Sequence, residues 1–260
     1  MRVVMISKTF VADTAQRQLE WLARQPGVDL TLITPPAWRS DDGRTLHFTS
    51  RYTQGYRVRT LPVLFNGHYH FYVYRGLRGT LRDLKPDLVH IDEEPYNPAG
   101  AQAQQLASHL HAPTVFIAWQ NLYHDYPLPF ARLEQYDYKR AAHIIAGNAA
   151  AGGVLRRKGY TGPISVFSVH GVDPDIYHPL PRQERATADG QFVIGYLGRL
   201  VLYKGTGLLI EALAGLPSAC RVRFVGSGPD EAALRQLAVE RGVADRVEFR
   251  PAVSTSGVPL

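Results

Sequence analysis

FVIGYLGRLVLYKG, residues 192–205, decides how the rest of the chain is read. Phe192, Val193, Ile194, Tyr196 and Leu197 form a nearly unbroken apolar run, the pattern of a strand buried on both faces of a parallel sheet. Gly198 lets the chain turn out of the sheet, and Arg199 stands at the strand's carboxyl end. Lys204-Gly205 then opens an amphipathic helical run from Thr206 to Leu213. In an open α/β sheet ligands lie outside the carboxyl ends of the strands, and a helix amino terminus presents unpaired N–H groups to anions. Arginine supplies a planar fork of donors and lysine a mobile point charge, so the pair suits a diphosphate better than a single carboxylate. The plainer alternative is two solvated loop cations.

Upstream of this stretch the pattern is α/β throughout. Residues 2–7 read as a buried strand, and Asp13 with Gln16 as a capping box opening a helix through Leu19 and Leu22. Residues 29–34 read as the next strand. The turn between the first strand and its helix, SKTFVADT, contains no glycine, so the dinucleotide fingerprint G-x-G-x-x-G is missing and an NAD-dependent dehydrogenase is disfavoured. Residues 38–64 suggest short strands joined by turns at Asp42-Gly43 and Gln54-Gly55. Phe71, Tyr74, Leu77, Leu81 and Leu84 have helical spacing. His68 and His70 form an H-x-H pair without a nearby cysteine or carboxylate at ligand spacing, and packing or solvent contact is the favoured reading.

The strand LVHI, residues 88–91, runs into Asp92, Glu93 and Glu94, three acids where sites form in such sheets but also where loops are commonly charged. PTVFIAW, residues 113–119, delivers Gln120, Asn121 and then His124 to the same edge. Alternating strands and helices continue to residue 169, and the polar stretch 180–191 reads as a linker. The expected division is therefore a Rossmann-like domain over 1–179, a linker over 180–191 and a partial second Rossmann-like domain over 192–260. In the second, GSGP at residues 226–229 turns a strand into a helix, an arrangement that admits a nucleotide to backbone amides.

Composition agrees with a folded chain: 260 residues, 45% hydrophobic and 20% charged. No run approaches a membrane span, and the start lacks the apolar core of a signal peptide. The single Cys220 excludes an internal disulfide, fits a reducing cytoplasm and reads as a small buried hydrophobe. A net charge of +6 favours anionic partners. No nucleic-acid module is recognisable. The densest basic patch, Arg156, Arg157 and Lys158 near Lys139 and Arg140, reads as a solvated helix face, with peripheral docking on an anionic membrane as the second reading.

Gly198-Arg199-Leu200, three residues, then Lys204-Gly205 resembles the G-R-L-x-x-x-K-G that opens the second domain of GT-B glycosyltransferases of family 4. Gly171, Val172, Asp173, Tyr177 and Pro179 resemble that family's G-V-D…aromatic-x-P at the end of domain one, with His170 where Asn is common. The resemblance implies a GT-B fold, a nucleoside diphosphate sugar as donor and transfer to an acceptor hydroxyl with retention, without a metal cofactor. The acceptor would be a glycan, a lipid-linked molecule or a small molecule. Arg199 and Lys204 would hold the diphosphate, with Gly198, Gly205, Gly226, Gly228 and Pro251 on the donor side. Pro251 replaces a glycine of the family's F-x-G-x-V turn and removes an N–H. Gln120 stands where many members have His, so Gln120, Asn121 and His124 are candidates near the sugar, and Asp92, Glu93 and Glu94 on the acceptor side. The family's E-x7-E motif and returning terminal helix are not found by residue 260, which makes a C-terminally truncated, impaired transferase or a non-catalytic nucleotide-binding module the two expectations. A metal-dependent transferase using Asp92 and Glu94 is a third. The expected location is the cytoplasm or the inner face of its membrane.

Overall fold

A computed structural model describes residues 1–40, 43–169, 171 and 190–252. The chain divides into two compact units, Met1–Gly171 and Val172–Leu260. The expected boundary at 179, nearly all of the 180–191 stretch, and His170, Val172, Asp173, Tyr177 and Pro179 lie outside the described residues, as does Asp42 of the expected Asp42-Gly43 turn.

In the first unit the strands are β1 (Arg2–Ile6), β2 (Asp29–Thr34), β5 (Arg57–Thr60), β8 (Leu88–Ile91), β9 (Thr114–Ala118), β10 (His143–Ala146) and β11 (Ile164–Val166). They form one seven-stranded sheet in the order β11-β10-β9-β8-β1-β2-β5, and every pairing is parallel. Hairpins β3 (Ala37–Arg39)/β4 (Thr45–His47) and β6 (Val63–Leu64)/β7 (Val73–Tyr74) stand beside it. The helices are α1 (Asp13–Ala23), α2 (Leu77–Leu84), α3 (Pro98–His109), α4 (Phe130–Tyr138) and α5 (Ala149–Arg157).

Alternation along the strands builds two cores. Val4, Ile6, Ile33, Val89, Ile91, Phe116 and Ile144 face one side, beneath Leu77, Leu81, Ala103 and Leu155 from the helices. Val3, Met5, Leu30 and Leu32 face the other, beneath Phe10 and Leu19. The chain leaves β1 toward β2 and β5, then returns to β8 on the opposite side. The order therefore reverses between β1 and β8, where an open parallel sheet parts its loops and leaves a crevice at the carboxyl ends.

The second unit contains β12 (Phe192–Leu197), β13 (Cys220–Val225) and β14 (Val247–Arg250), all parallel, with α6 (Thr206–Ala214) and α7 (Glu231–Glu240). Leu200, Ile210, Leu213, Val222, Phe224 and Leu234 are its buried centre, and Cys220 packs against them as a small apolar side chain.

Three local expectations change. β12 is an edge strand of the described sheet rather than one buried on both faces, and Phe192 and Leu197 are 65% and 58% exposed. The Asp13/Gln16 capping box does not form. Ala12 is the N-cap and makes no side-chain cap bond. Gln16 Nε2 instead donates to the carbonyls of Phe10 and Thr49, while Asp13 pairs with Arg51 at 3.1 Å. The helix predicted from Phe71 begins only at Leu77, because Val73 and Tyr74 pair with β6 and Gly76 turns the chain at φ 77°.

Candidate functional site

The carboxyl edge of the first sheet gathers charge at the β1/β8 switch. Lys8, just past β1, extends its ammonium to Glu93 Oε2 at 2.6 Å. Its Nζ also lies 5.2–5.8 Å from the ring centroids of Trp38, Tyr69 and Tyr72, a partly buried cation in an aromatic surround. Glu93 is buried, and its other oxygen takes a short hydrogen bond from the Tyr72 hydroxyl. Both oxygens are thus engaged inside the fold. Asp92 accepts from Ser7 Oγ at 2.7 Å. Glu94 Oε1 accepts the Trp119 backbone N–H at 2.8 Å. Burial pushes the Glu94 carboxyl up to about 7, against the pull of that N–H and of Lys8.

Gln120 follows β9, and its Oε1 accepts from Lys158 Nζ at 3.1 Å. The same ammonium pairs with Glu134 at 2.7 Å, with side-chain exposures of only 4% and 7%. It lies 4.4 Å from the Tyr126 ring. Lys158 is therefore not the solvated helix-face lysine predicted from the basic run. Arg156 is likewise occupied with the carbonyls of Tyr160 and Gly162, and Arg157 sits 3.8 Å over the Tyr123 ring. Removing one partner of such a buried pair strands the other charge, at a cost of about 3–5 kcal/mol.

Around this pair runs a chain of rings: His70 to Tyr96 at 5.5 Å, Tyr96 to Tyr126 at 4.1 Å, and Tyr126 to His124 at 5.2 Å. His124 and Asn121 are exposed. The edge so far consists of Asp92, Glu94, Gln120, Asn121 and His124, supported from behind by Lys8, Glu93, Glu134 and Lys158. His68 and His70 do not share a cluster of metal-ligating side chains among the described residues.

In the second unit the turns after all three strands meet. Gly198 N–H donates to Val225 O, Leu200 N–H to Ser227 O, and Gly226 N–H to Arg250 O. Gly198 and Gly226 adopt φ of 155° and 152°. A Cβ on Gly226 would stand 1.9 Å from Gly198 O, and one on Gly228 2.1 Å from Leu200 O. These two glycines are thus needed for backbone-on-backbone packing, whatever they bind.

Arg199 emerges exposed from this stitched turn, its carbonyl held by the Tyr196 hydroxyl at 2.9 Å. Lys204 is exposed at the end of a short 3-10 turn, Leu202–Lys204. Gly205, at φ 77°, is the N-cap of α6 and provides no side-chain cap. The N-cap of α6 therefore offers no side chain to the first-turn N–H groups, which open beside a lysine, an arrangement that suits an oxyanion. Pro251 is exposed just past β14.

A parallel sheet with its polar edge at the strand-order reversal, and a second parallel unit that begins with G-R-L-x-x-x-K-G, define a GT-B-type glycosyltransferase architecture. The chain belongs to the glycosyl transferase 4-like family: that family's model matches residues 11–170, and the model of glycosyl transferases group 1 matches residues 180–259. It is 39% identical over 102 residues to a D-inositol 3-phosphate glycosyltransferase of Mycobacteroides abscessus, a match covering 34% of this chain and 22% of that protein. The matched part thus spans about a fifth of the curated relative's length. Among solved structures, HepE of Anabaena in complex with UDP superposes with a TM-score of 0.67 at 18% identity, covering 98% of this chain and 70% of HepE. A UDP-N-acetylglucosamine 2-epimerase shares the fold at a TM-score of 0.57 and 13% identity, covering 97% of this chain and 69% of the epimerase.

Proposed function

We propose that this chain binds a nucleoside diphosphate sugar and transfers its glycosyl unit, with retention, to an acceptor hydroxyl, and that it works in the cytoplasm. The observation that carries the reading is the 198–205 segment: two exposed cations flank an uncapped helix start at the carboxyl edge of a parallel sheet. As the anomeric C1–O bond to the β-phosphate breaks, its electron pair stays on the diphosphate, the acceptor hydroxyl oxygen bonds to C1 on the same face, and the hydroxyl proton passes to the departing phosphate oxygen. Arg199, Lys204 and the α6 N–H groups lower the energy of that growing charge. HepE has been crystallised with UDP-glucose, which supports a nucleotide sugar as donor.

Gln120 has its oxygen occupied by Lys158, so its NH2 remains to donate to a sugar oxygen. Asn121 and His124 stand beside it, while Asp92 and Glu94 serve acceptor hydroxyls. Glu93 holds Lys8 in place. The acceptor is a glycan, a lipid-linked molecule or a small molecule.

The test is release of nucleoside diphosphate from a panel of UDP- and GDP-sugars, with and without EDTA. Arg199→Ala and Lys204→Ala are each expected to lower turnover by roughly a hundred-fold or more, with turnover surviving chelation. Undiminished release in both variants overturns the assignment. Calorimetric nucleotide binding without turnover identifies a binding module instead, and loss of activity on chelation identifies a metal-dependent reaction.

A further inference from the structure

In the 156–158 run Lys158 is paired with Glu134, while Arg156 and Arg157 keep their charge against carbonyls and a ring. A second concentration of positive charge lies elsewhere. Residues 43–82 contain seven arginines and neither an aspartate nor a glutamate. Arg51 and Arg57 are used in ion pairs with Asp13 and Asp29. Arg59, Arg75 and Arg78 are exposed, and none pairs with an acid among the described residues.

The same segment carries the β6/β7 hairpin, whose tip exposes apolar side chains between the polar residues Asn66, His68 and His70. Leu64, Phe65, Tyr69 and Phe71 are 44%, 56%, 38% and 51% exposed, and the two phenylalanine rings lie 5.2 Å apart. Asn66 pins the tip to β3: its Oδ1 accepts Arg39 N–H and its Nδ2 donates to Ala37 O, each at 2.9 Å. Tyr72, just before β7, and Tyr74, within it, are buried and anchor the base of the hairpin. Arg75 N–H donates to Pro62 O, which places an arginine at that base on the carboxyl side of the sheet.

A pinned tip exposing apolar rings, in a segment with seven arginines and no carboxylate of its own, has the composition of an interfacial anchor. Phenyl rings have no hydrogen-bonding atoms for a polar partner to satisfy. They gain by leaving water for the boundary between headgroups and acyl chains, while arginines one layer back meet anionic headgroups. We propose that the hairpin tip of residues 64–71 docks this protein on an anionic lipid bilayer, with Phe65 and Phe71 entering the interface and Arg59, Arg75 and Arg78 contacting headgroups. The proposal is independent of glycosyl transfer, because vesicle binding is read without turnover.

The experiment is sedimentation of the 260-residue chain with phosphatidylcholine vesicles and with vesicles containing about 30% phosphatidylglycerol. Binding is expected only to the anionic vesicles and is expected to weaken in high salt. Phe65→Ser/Phe71→Ser and Arg59→Ser/Arg75→Ser should each weaken it by about ten-fold or more, with unchanged circular dichroism because all four side chains are exposed. Phe65→Trp gives a second readout: the emission of the introduced indole should be quenched by lipids brominated on the acyl chains. Absence of binding to anionic vesicles, binding unaffected by the phenylalanine changes, or emission of the Phe65→Trp variant that brominated lipids leave unquenched each overturns the proposal. So does loss of turnover on a water-soluble acceptor with vesicle binding intact, which would make the tip an acceptor contact, or retention on RNA in place of vesicles.

Discussion

Glu94 shows how one side chain ties the candidate site to stability. Its carboxyl titrates near 7 because burial disfavours the charged form, against an ordinary value of 4.5. The folded-state value lies above the unfolded one, so the protonated form favours folding. That contribution is fully present below about pH 4.5, is lost as pH rises toward 7 and is constant beyond. Glu94→Gln keeps an oxygen for the Trp119 N–H but cannot ionise. The variant should match the wild type near pH 4 and exceed it by about 3 kcal/mol at pH 8, measured by urea unfolding across that range. Identical pH slopes in the two proteins would refute this account. Asp137 adds a wild-type slope of the same sign, since burial raises its carboxyl and neither oxygen has a hydrogen-bond partner among the described residues. The difference between variant and wild type therefore isolates Glu94.

Among the elements, the turns of the second unit are the most demanding. Gly226→Ala would drive a methyl group into Gly198 O while holding φ at 152°, and backbone cannot give way as a flexible side chain does. The expected cost is more than about 3 kcal/mol, enough to unfold a unit with so small a buried centre. Gly195→Ala is the control, because open space surrounds its Cβ position in β12. Limited proteolysis should cut the second unit of the Gly226 variant and spare the Gly195 variant; equal resistance would show that the turns can relax. Strands β1, β2, β8, β9 and β13 and helices α6 and α7 were legible in sequence because each is a local apolar period. The same logic failed at Phe71 and Tyr74, which are three apart as on a helix, because a two-residue strand, Val73–Tyr74, is too short to show a period of its own. Arg199 and Lys204 were legible as candidates because their signal lies within one turn. Lys8 with Glu93, 85 residues apart, and Lys158 with Glu134, 24 apart, were not. A lysine's charge announces solvent unless its partner acid is known, and only the fold brings that acid near.

At the scale of the whole chain, the two compact units have separate buried centres, so heat should unfold them in separate steps. The protein contains three tryptophans, Trp21, Trp38 and Trp119, all in the first unit. Tryptophan emission therefore follows that unit alone, while calorimetry records both. A ligand stabilises only the unit that binds it, by about 2.7 kcal/mol at a hundred times its dissociation constant. If the diphosphate is held by residues 198–205, saturating UDP or GDP should raise the calorimetric transition that tryptophan emission does not report. The emission curve should stay where it was, and Arg199→Ala should cancel the calorimetric shift. A nucleotide that moved the emission curve instead would place its phosphates at the β1/β8 edge, beside Lys8 and Asp92, and would turn the assignment of donor and acceptor sides around.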